Sequence, residues 1–363
     1  MAAMAAPRLA VLGLSHGLKF VNALKKSSIA DLVAVADLDP ERAVRSYNTR
    51  SVALSEFLGD GVALYMDYKD LLGDARARGI DGVIAALPND LHAEAVDEAA
   101  KAGVALMLEK PIACTMEEAS RIVKTVNGSN MAFMVAHHRR FSKKIIRVKE
   151  AIDSGALGRI LGVNMVWAAK KPDWYFEQKW RITEGVGGPL LINMIHDIDN
   201  LRYLVGEIAM VQAHMANVSR GNMVEDTGVV IASFKNGAVA SIFLSDNAPS
   251  PWFYEACSQE YEFFHPSNYD CYAFFGEKAS LTFPNMDMHY YEQGAEAGWH
   301  RPIKQERLTT ERFDVIEEEL KHFCAIIAGT EKSRVTAEDA AESLRVIEAI
   351  KESSKTGRAV HLA

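Results

Sequence analysis

Apolar and polar positions divide the chain into two parts of different character. From the N-terminus to about residue 125, short unbroken apolar runs alternate with stretches of helical periodicity. The apolar runs predict strands at Leu9–Leu14, Leu32–Ala36, Gly82–Leu87 and Val104–Leu108, and the intervening stretches predict helices near Leu18–Lys26, Pro40–Thr49, Leu91–Ala102 and Met116–Val126. Since strands joined in this way are typical of a parallel sheet covered on both faces, this part is predicted to be a doubly wound α/β domain.

The pattern changes after about residue 130. Helices are predicted over 141–154 and 187–205, and a strand over 159–168. The second of these helices carries an apolar stripe that consists of Leu191, Ile195, Ile198 and Leu201. Between about 207 and 295 the pattern is that of antiparallel strands, with Asn236-Gly237 as the turn of a hairpin.

These patterns predict two domains, 1–130 and 131–363. The second is expected to be an α+β domain with a large open, mostly antiparallel sheet. A single open sheet leaves one face to be covered, so we expect a homodimer or homotetramer that assembles through this sheet.

Composition excludes several classes of protein. The chain has 363 residues, of which 49% are apolar and 24% charged, close to the average of globular proteins and unlike a disordered chain, a collagen or a long coiled coil. Its net charge is −8 and it contains no basic block, which argues against binding to nucleic acid. No apolar run approaches the length of about 18 residues that a membrane span needs.

The N-terminal segment and the cysteines favour a cytoplasmic protein. The first 17 residues lack a basic leader and a cleavage site, so they are interpreted as the approach to a strand rather than as a signal peptide. Four cysteines lie far apart without C-x-x-C spacing, which favours reduced thiols over a disulfide framework or a zinc site.

The first predicted strand ends in a glycine turn, Gly13-Leu14-Ser15-His16-Gly17. Backbone N–H groups at a helix N-terminus bind phosphate, and glycine lets the backbone approach the phosphate closely. The pattern of three glycines is incomplete, because Ser15 and Leu18 stand at the second and third positions. The turn therefore has two interpretations, a structural turn or part of a dinucleotide site.

Asp37 favours the dinucleotide site. It follows the second predicted strand, where a carboxylate can accept hydrogen bonds from the ribose hydroxyls of an adenosine and repel a 2′-phosphate. The other role open to Asp37 is to cap the next helix, but Asp39 suits that role better because Pro40 follows it. Together the turn and Asp37 predict NAD as the cofactor, with NADP less favoured.

Two further segments follow predicted strands, at the carboxyl ends where doubly wound sheets form their binding crevice. The first runs from Leu87 through Pro88 and Asn89 to His92, and the second contains Glu109-Lys110-Pro111. A buried ammonium needs a partner. Lys110 is therefore either a surface lysine paired with Glu109 or an active-site lysine that polarises a substrate oxygen, and its spacing does not decide between the two.

These segments resemble the glucose–fructose oxidoreductase and inositol dehydrogenase family, also called Gfo/Idh/MocA. The resemblance spans nearly the whole chain. It rests on the N-terminal strand, turn and helix, on ALPNDLH at 86–92, on Glu109-Lys110-Pro111, on AHHRRF at 136–141 and on GVGGPLLINMIHDIDNLRYLVGE at 185–207. It implies a Rossmann domain followed by the α+β domain, in an enzyme that oxidises or reduces secondary alcohols of sugars, cyclitols and related polyols with NAD(P).

The resemblance also implies roles for individual residues. Lys110 and His196 would lie in the catalytic site, Glu109 would help to hold the lysine, and Asn89 and His92 would lie near the cofactor. The cofactor-binding candidates are Gly13, Ser15, His16, Gly17, Asp37, Leu87, Pro88, Asn89, His92, Glu109 and Lys110.

One position departs from the family pattern. Ile192 stands where family members often carry an Asp, four residues before the active-site His. Asn193 is expected to take over hydrogen bonding to a substrate hydroxyl without acting as a base, which leaves His196 as the proton acceptor. On a regular helix Asn193, His196, Asp197 and Asn200 share one polar face. The alternative is that this polar face is capped and solvated and has no role in catalysis. If the face belongs to the active site, Asn193 is a third catalytic candidate beside Lys110 and His196.

The segment before this helix offers aromatic and basic side chains to a substrate. Aromatic rings suit the apolar faces of a pyranose, and Arg181 suits its hydroxyls or a carboxylate. The positive charges of Lys171 and Arg181 are also compatible with an acidic sugar as substrate. The alternative for the aromatic rings is that they pack under the sheet and do not contact a substrate. The substrate-binding candidates are Lys110, His138, Tyr175, Trp180, Arg181, Asn193 and His196. No metal is predicted, since the adjacent His137 and His138 lack matching carboxylates or cysteines.

The function that these features predict is an NAD-dependent oxidoreductase that acts on a secondary alcohol of a sugar, cyclitol or related polyol. In this interpretation His196 removes the hydroxyl proton and Lys110 stabilises the charge that develops on the same oxygen. One alternative is a glycoside-cleaving enzyme that oxidises its sugar transiently with NAD. Another is a sensor that binds NAD and a ligand without turnover.

Overall fold

The computed structural model describes residues 6–47, 54–261, 263–294 and 296–362. They form two compact units. The first extends to Phe141 and is completed by Asp314–Leu344. The second comprises Ser142–Phe313 and the chain from Arg345 onwards.

The strands are short and the helices mostly moderate in length. The strands are β1 (Arg8–Leu12), β2 (Asp31–Ala36), β3 (Ala63–Tyr65), β4 (Gly82–Ala85), β5 (Ala105–Glu109), β6 (Phe133–Ala136), β7 (Ile160–Ala168), β8 (Ile208–Ala216), β9 (Thr227–Phe234), β10 (Val239–Ser245), β11 (Tyr272–Gly276), β12 (Ala279–Phe283), β13 (Asp287–Tyr290), β14 (Lys304–Arg307) and β15 (Val360–His361). The α-helices are α1 (Leu14–Lys26), α2 (Pro40–Tyr47), α3 (Leu54–Leu58), α4 (Tyr68–Gly73), α5 (His92–Ala102), α6 (Met116–Ser129), α7 (Lys143–Asp153), α8 (Ile195–Val205), α9 (Tyr254–Ser258), α10 (Val315–Ile327) and α11 (Ala337–Thr356).

The first unit contains a six-stranded parallel sheet in the order β3-β2-β1-β4-β5-β6. Its central strands β4 and β5 are buried along their whole length, as expected for a parallel sheet covered on both faces. The predicted doubly wound fold is confirmed. The pattern along the sequence did not predict β3 and β6, because strands of three and four residues are too short to show a period.

The first unit differs from the predicted domain of residues 1–130. Strand β6 pairs with β5 and so extends the first sheet past that boundary. Helix α10 returns from the C-terminal part of the chain to pack on β4 at Gly82, where an added Cβ would lie 2.9 Å from Ile327 and 3.1 Å from Phe323. The chain therefore enters the first unit twice, which one boundary cannot describe.

The second unit contains a nine-stranded sheet in the order β14-β13-β12-β11-β7-β10-β9-β8-β15. All of its strand pairs are antiparallel except β7 with β10, which confirms the prediction of a large, mostly antiparallel sheet. The predicted hairpin joins β9 to β10, and Gly237 supplies a positive φ of 89° at its turn.

The predicted helix over 187–205 is divided. A π-helical turn, Leu190–Met194, precedes α8. The predicted apolar stripe is buried, since Leu191, Ile195, Ile198 and Leu201 are at most 1% exposed. The opposite side of α8 is buried as well, and this includes His196, Asp197 and Asn200. The alternative of a solvated polar face is therefore wrong.

Across the described ranges, none of the helices combines the length and the apolar character needed to cross a membrane.

Candidate active site

The glycine turn joins β1 directly to α1. Gly13 has a φ of 84°, and a Cβ at this position would collide with the carbonyl oxygen of Ala86. A Cβ at Gly17 would lie 2.6 Å from Cγ1 of Val11. Helix α1 begins at Leu14, one turn earlier than predicted, so Ser15 and His16 lie exposed in its first turn. The N–H groups of such a turn can bind the phosphates of a dinucleotide.

Asp37 stabilises this turn from the end of β2. Its Oδ2 accepts a hydrogen bond from the backbone N–H of Leu14 at 2.6 Å, and its Oδ1 accepts one from Asp39 at 2.7 Å. Asp39 in turn accepts from the backbone N–H of Arg42 at 3.1 Å, which is the capping role expected for it. Each Asp37 oxygen keeps lone pairs for a further donor. These residues therefore fit the pyrophosphate and adenosine ribose of a dinucleotide.

His92 joins the ends of two strands. Its Nδ1 lies 2.9 Å from the carbonyl oxygen of Pro111 and its Nε2 lies 3.1 Å from that of Leu87. The ring is fully buried, and this burial lowers its pKa despite the carbonyls and Glu109. His92 lies at the carboxyl ends of the strands, as predicted, but both of its ring nitrogens face backbone carbonyl groups. It is therefore suited to hold the strand ends, close to the buried Asn89, rather than to contact a ligand directly.

Glu109 is the buried acid at the end of β5. Its Oε1 lies 2.6 Å from Lys19 Nζ and 3.5 Å from His16 Nε2, and its Oε2 accepts a hydrogen bond from the Lys110 backbone N–H at 3.2 Å. Burial opposes the ionisation of Glu109, but the charges of Lys19, His16 and Lys110 outweigh it and lower the pKa to about 2. Glu109 is 3% exposed and interacts with the charge of Lys110, so both interpretations of Lys110 stay open. Lys110 itself is half-buried.

Sequence reasoning missed Lys19. The signal available was indirect: a glutamate at the end of a buried central strand needs a cation, and the first turns of α1 offer one. Lys19 also lies 2.9 Å from Nε2 of His16, one helical turn away.

His138 and Glu319 are two further buried titratable groups of the first unit. His138 lies in a 3₁₀ turn after β6, and burial lowers its pKa well below the usual value, with Lys19, Arg139 and Lys110 acting in the same direction. Glu319 on α10 is fully buried, and neither carboxyl oxygen has a hydrogen-bond partner among the described residues. Burial raises the pKa of Glu319 to about 8; Lys19 opposes this shift and Glu109 adds to it.

The sequence did carry a signal for Glu319. It lies on the apolar stripe of α10 with Val315, Leu320 and Phe323, all of which are buried. A single acidic residue on such a stripe indicates a buried carboxyl group.

In the second unit, the side chains predicted to share one helix face separate into two groups. Asn193 is half-buried, and its Oδ1 accepts a hydrogen bond from Lys171 Nζ at 2.8 Å. Tyr272 on β11 donates to Asp197 and lies 3.4 Å from Nδ2 of Asn200. The reason is the π-helical turn, which ends just after Asn193 and breaks the regular spacing that the prediction assumed. His196 is 6% exposed.

Lys171 is buried within an ionic group that the sequence did not reveal. Its Nζ lies 3.5 Å from Asp246 Oδ2, and Arg220 Nε lies 3.2 Å from Asp246 Oδ1. Burial lowers the pKa of Lys171 to about 8, although Asp246 opposes the shift. Burial likewise raises the pKa of Asp246, against the effect of both cations. No local pattern links these three positions, since they lie on separate segments.

The predicted aromatic and basic side chains form one cluster. The Arg181 guanidinium lies 4.0 Å from the centre of the Tyr175 ring and 5.6 Å from that of Trp180, and it donates to the Tyr175 carbonyl oxygen at 2.8 Å. All three side chains are half-buried, and Trp174 is 56% exposed. Trp174 therefore does not pack under the sheet, whereas for Tyr175 and Trp180 both interpretations stay open.

Among the described residues, no group of three or more His, Cys, Asp or Glu side chains is placed to hold a metal ion.

Comparison with known proteins supports an assignment for both units. Residues 8–137 match the family model described as an oxidoreductase family, NAD-binding Rossmann fold, and residues 149–362 match its C-terminal alpha/beta domain. Levoglucosan dehydrogenase of Pseudarthrobacter phenanthrenivorans is 30% identical over 211 residues, 50% of this chain and 53% of that protein. 1,5-Anhydro-D-fructose reductase of Ensifer adhaerens is 29% identical over 47% of this chain and 51% of that protein.

The matched regions thus span about half the length of these two relatives. Among solved structures, aldose-aldose oxidoreductase from Caulobacter crescentus, complexed with glycerol, superposes with a TM-score of 0.77 at 21% identity. That match covers 98% of this chain and 99% of the other, and it shows a shared fold.

Proposed function

Since the chain belongs to the Gfo/Idh/MocA oxidoreductase family, we propose that it is an NAD-dependent dehydrogenase of a secondary alcohol in a sugar, cyclitol or related polyol. The observation that carries this proposal is the charge arrangement at the end of β5. Glu109 is buried against Lys19 and holds the backbone of Lys110, in the same unit as the glycine turn and Asp37. A lysine held at the carboxyl end of a strand in a doubly wound sheet suits an electrostatic role beside a bound dinucleotide.

The chain's own residues supply binding, orientation and proton transfer. When bound, the nicotinamide supplies the hydride chemistry. We propose that Lys110 stabilises negative charge on the substrate oxygen and that His196 accepts the hydroxyl proton. Tyr175, Trp180 and Arg181 hold the sugar ring by its apolar faces and hydroxyls.

The preference for NAD rests on Asp37. Its carboxylate lies at the end of β2 and holds the start of α1, where a 2′-phosphate would meet its negative charge. We expect kcat/KM to be at least 10-fold higher with NAD than with NADP. Asp37→Asn keeps a hydrogen-bond acceptor but removes the negative charge, so it should lower the ratio of kcat/KM with NAD to kcat/KM with NADP. An enzyme that uses both cofactors equally would contradict this role of Asp37.

Anhydrosugars are the first substrates to test, because two of the relatives are named for them. The test is a panel of anhydrosugars, pyranoses and cyclitols with NAD, monitored by the absorbance of the reduced nicotinamide. Lys110→Ala should lower the rate by about 100-fold or more, as for loss of a charge-stabilising group. Lys101→Ala is the control, since Lys101 is exposed and pairs with Glu98 on the same helix. Equal rates in both variants would remove Lys110 from the mechanism.

The same panel separates the alternatives. A glycoside-cleaving enzyme would release a fragment of a glycoside without net reduction of added NAD. A sensor would bind NAD and a ligand and turn over neither. Net NADH formation from a free polyol would support the dehydrogenase over both.

We propose that a second copy of the chain covers the open face of the second sheet. Val229, Ile231, Val239 and Phe275 are between 47% and 57% exposed, and the strand register places them on one face of β9, β10 and β11. Monomers rarely expose large apolar patches, so several half-exposed apolar side chains on one sheet face favour a partner that covers them. Ile231→Glu should lower the mass measured by light scattering, while Met223→Glu, in an exposed loop, should not. A wild type that is monomeric at micromolar concentration would contradict this proposal.

A further inference from the structure

The Asn193 side chain is held by a single contact that fixes its direction. Lysine carries three N–H donors and no acceptor. The 2.8 Å contact between Lys171 Nζ and Asn193 must therefore be made by the amide oxygen, as the structure has it. For many asparagines the positions of the amide oxygen and nitrogen cannot be told apart, but here the lysine partner decides the orientation of the amide. In the described part of the chain, the side chain of Asn193 forms no second hydrogen bond.

Lys171 is itself held on several sides, so it cannot turn away from Asn193 easily. Its backbone N–H donates to the Asp246 carbonyl oxygen at 2.9 Å, and its carbonyl oxygen accepts from Arg220 at 3.0 Å. Its Nζ lies 3.5 Å from the Asp246 carboxylate and 4.5 Å from the centre of the Tyr175 ring. The side chain is only 10% exposed. A donor fixed by this many contacts imposes its direction on the amide that it binds.

We infer that Lys171 is a positioning residue, which holds Asn193 so that its NH₂ group faces the substrate and recognises an oxygen that accepts hydrogen bonds. This inference rests on the proposed function, because it takes Asn193 as part of the substrate site. An amide presented in this way donates and cannot take the proton of the reacting alcohol. It suits oxygens that only accept, such as a ring or bridging ether oxygen or a carbonyl, as well as hydroxyl oxygens.

The contact between Lys171 and Asn193 can be tested without a ligand. Asn193→Asp offers Lys171 a carboxylate, so the melting temperature should rise by at least 2 °C as an ion pair replaces the hydrogen bond to an uncharged amide. The same substitution made on top of Lys171→Met should give no such rise. Asn268→Asp is the matched control, because Oδ1 of this exposed asparagine also accepts from a side-chain nitrogen, that of Gln259 at 3.1 Å. A rise that persists without Lys171 would overturn the contact.

The direction of the NH₂ group is tested by binding. With NADH present, the dissociation constant of the polyol that the wild type oxidises fastest is measured by calorimetry. Asn193→Asp should raise it at least 10-fold and Lys171→Met about 3- to 10-fold, while the dissociation constant of NADH and the binding by Asn268→Asp stay at wild-type values. Polyol binding by Asn193→Asp within twofold of wild type would overturn the inference. A wild type that oxidises no polyol would refute the proposed function instead, and the melting temperatures would still decide the Lys171 contact.

Discussion

Glu319 gives the sharpest test of the electrostatics of the first unit. Its carboxyl group is fully buried on α10, without a hydrogen-bond partner among the described residues. Glu319→Gln keeps the shape of the side chain and removes its ionisation. We expect this variant to be more stable than the wild type at pH 8 and nearly equal to it at pH 5.

The size of the effect follows from the pKa. Burial raises the pKa of Glu319 from 4.5 to about 8. Between these values the folded state holds a proton that the unfolded state has lost, so the free energy of unfolding falls as the pH rises. At 1.36 kcal/mol for each pH unit, the full interval sets an upper limit of about 5 kcal/mol, and relaxation of the protein around the charge reduces it to roughly 2–4 kcal/mol. Gln at position 319 is not subject to this loss.

The assay is urea unfolding of wild type and variant at pH 5, 6.5 and 8, with the free energy taken from midpoint and slope. Other titrating groups are shared, so they cancel in the difference between the two proteins. Glu317→Gln on the same helix is the control: Glu317 is 40% exposed and paired with Lys321, so it should change stability by less than about 0.5 kcal/mol. A stability difference for Glu319→Gln that is the same at pH 5 and pH 8 would refute the assignment of Glu319 as a buried neutral acid.

Two further predictions concern lysines that pair with buried carboxylates. Lys19→Met should destabilise the protein by about 3–5 kcal/mol at pH 7, because it leaves the Glu109 carboxylate buried without its closest cation. Lys26→Met, at the exposed end of the same helix, is the control, and the stability of both variants is measured by urea unfolding. An equal loss of stability in both variants would contradict the role of the Lys19–Glu109 pair. Burial lowers the pKa of Lys171 from 10.5 to about 8. Between these pH values the unfolded state binds more protons than the folded state, so the free energy of unfolding of the wild type should rise with pH. Relative to Lys171→Met, this gain is at most about 3 kcal/mol. Melting temperatures of both proteins at pH 7.5 and pH 10 check this, and a constant difference would argue against a buried, titrating Lys171.

Local sequence was sufficient for the architecture and for the glycine turn after β1. Apolar periodicity is a property of neighbouring residues, so it predicted the parallel sheet, the antiparallel sheet and the β9–β10 hairpin. The glycine turn and Asp37 could be recognised because their geometry is set by adjacent backbone: Gly13 needs a positive φ, and Asp37 reaches the start of α1 from the end of the next strand. Short strands such as β3 lay below what periodicity can detect.

What the sequence determined by itself is thus the set of elements and the residue types at the ends of the strands. Only the tertiary structure decided which side chains meet across the chain. Lys19 pairs with Glu109 and Lys171 with Asn193 across separations of 90 and 22 residues, over which no local period connects the partners. The π-helical turn before α8 changed which side chains share a face, because the prediction assumed regular helical spacing. Burial then shifted the pKa values of Glu319 and Lys171, since the desolvation that causes these shifts exists only once distant segments have packed together.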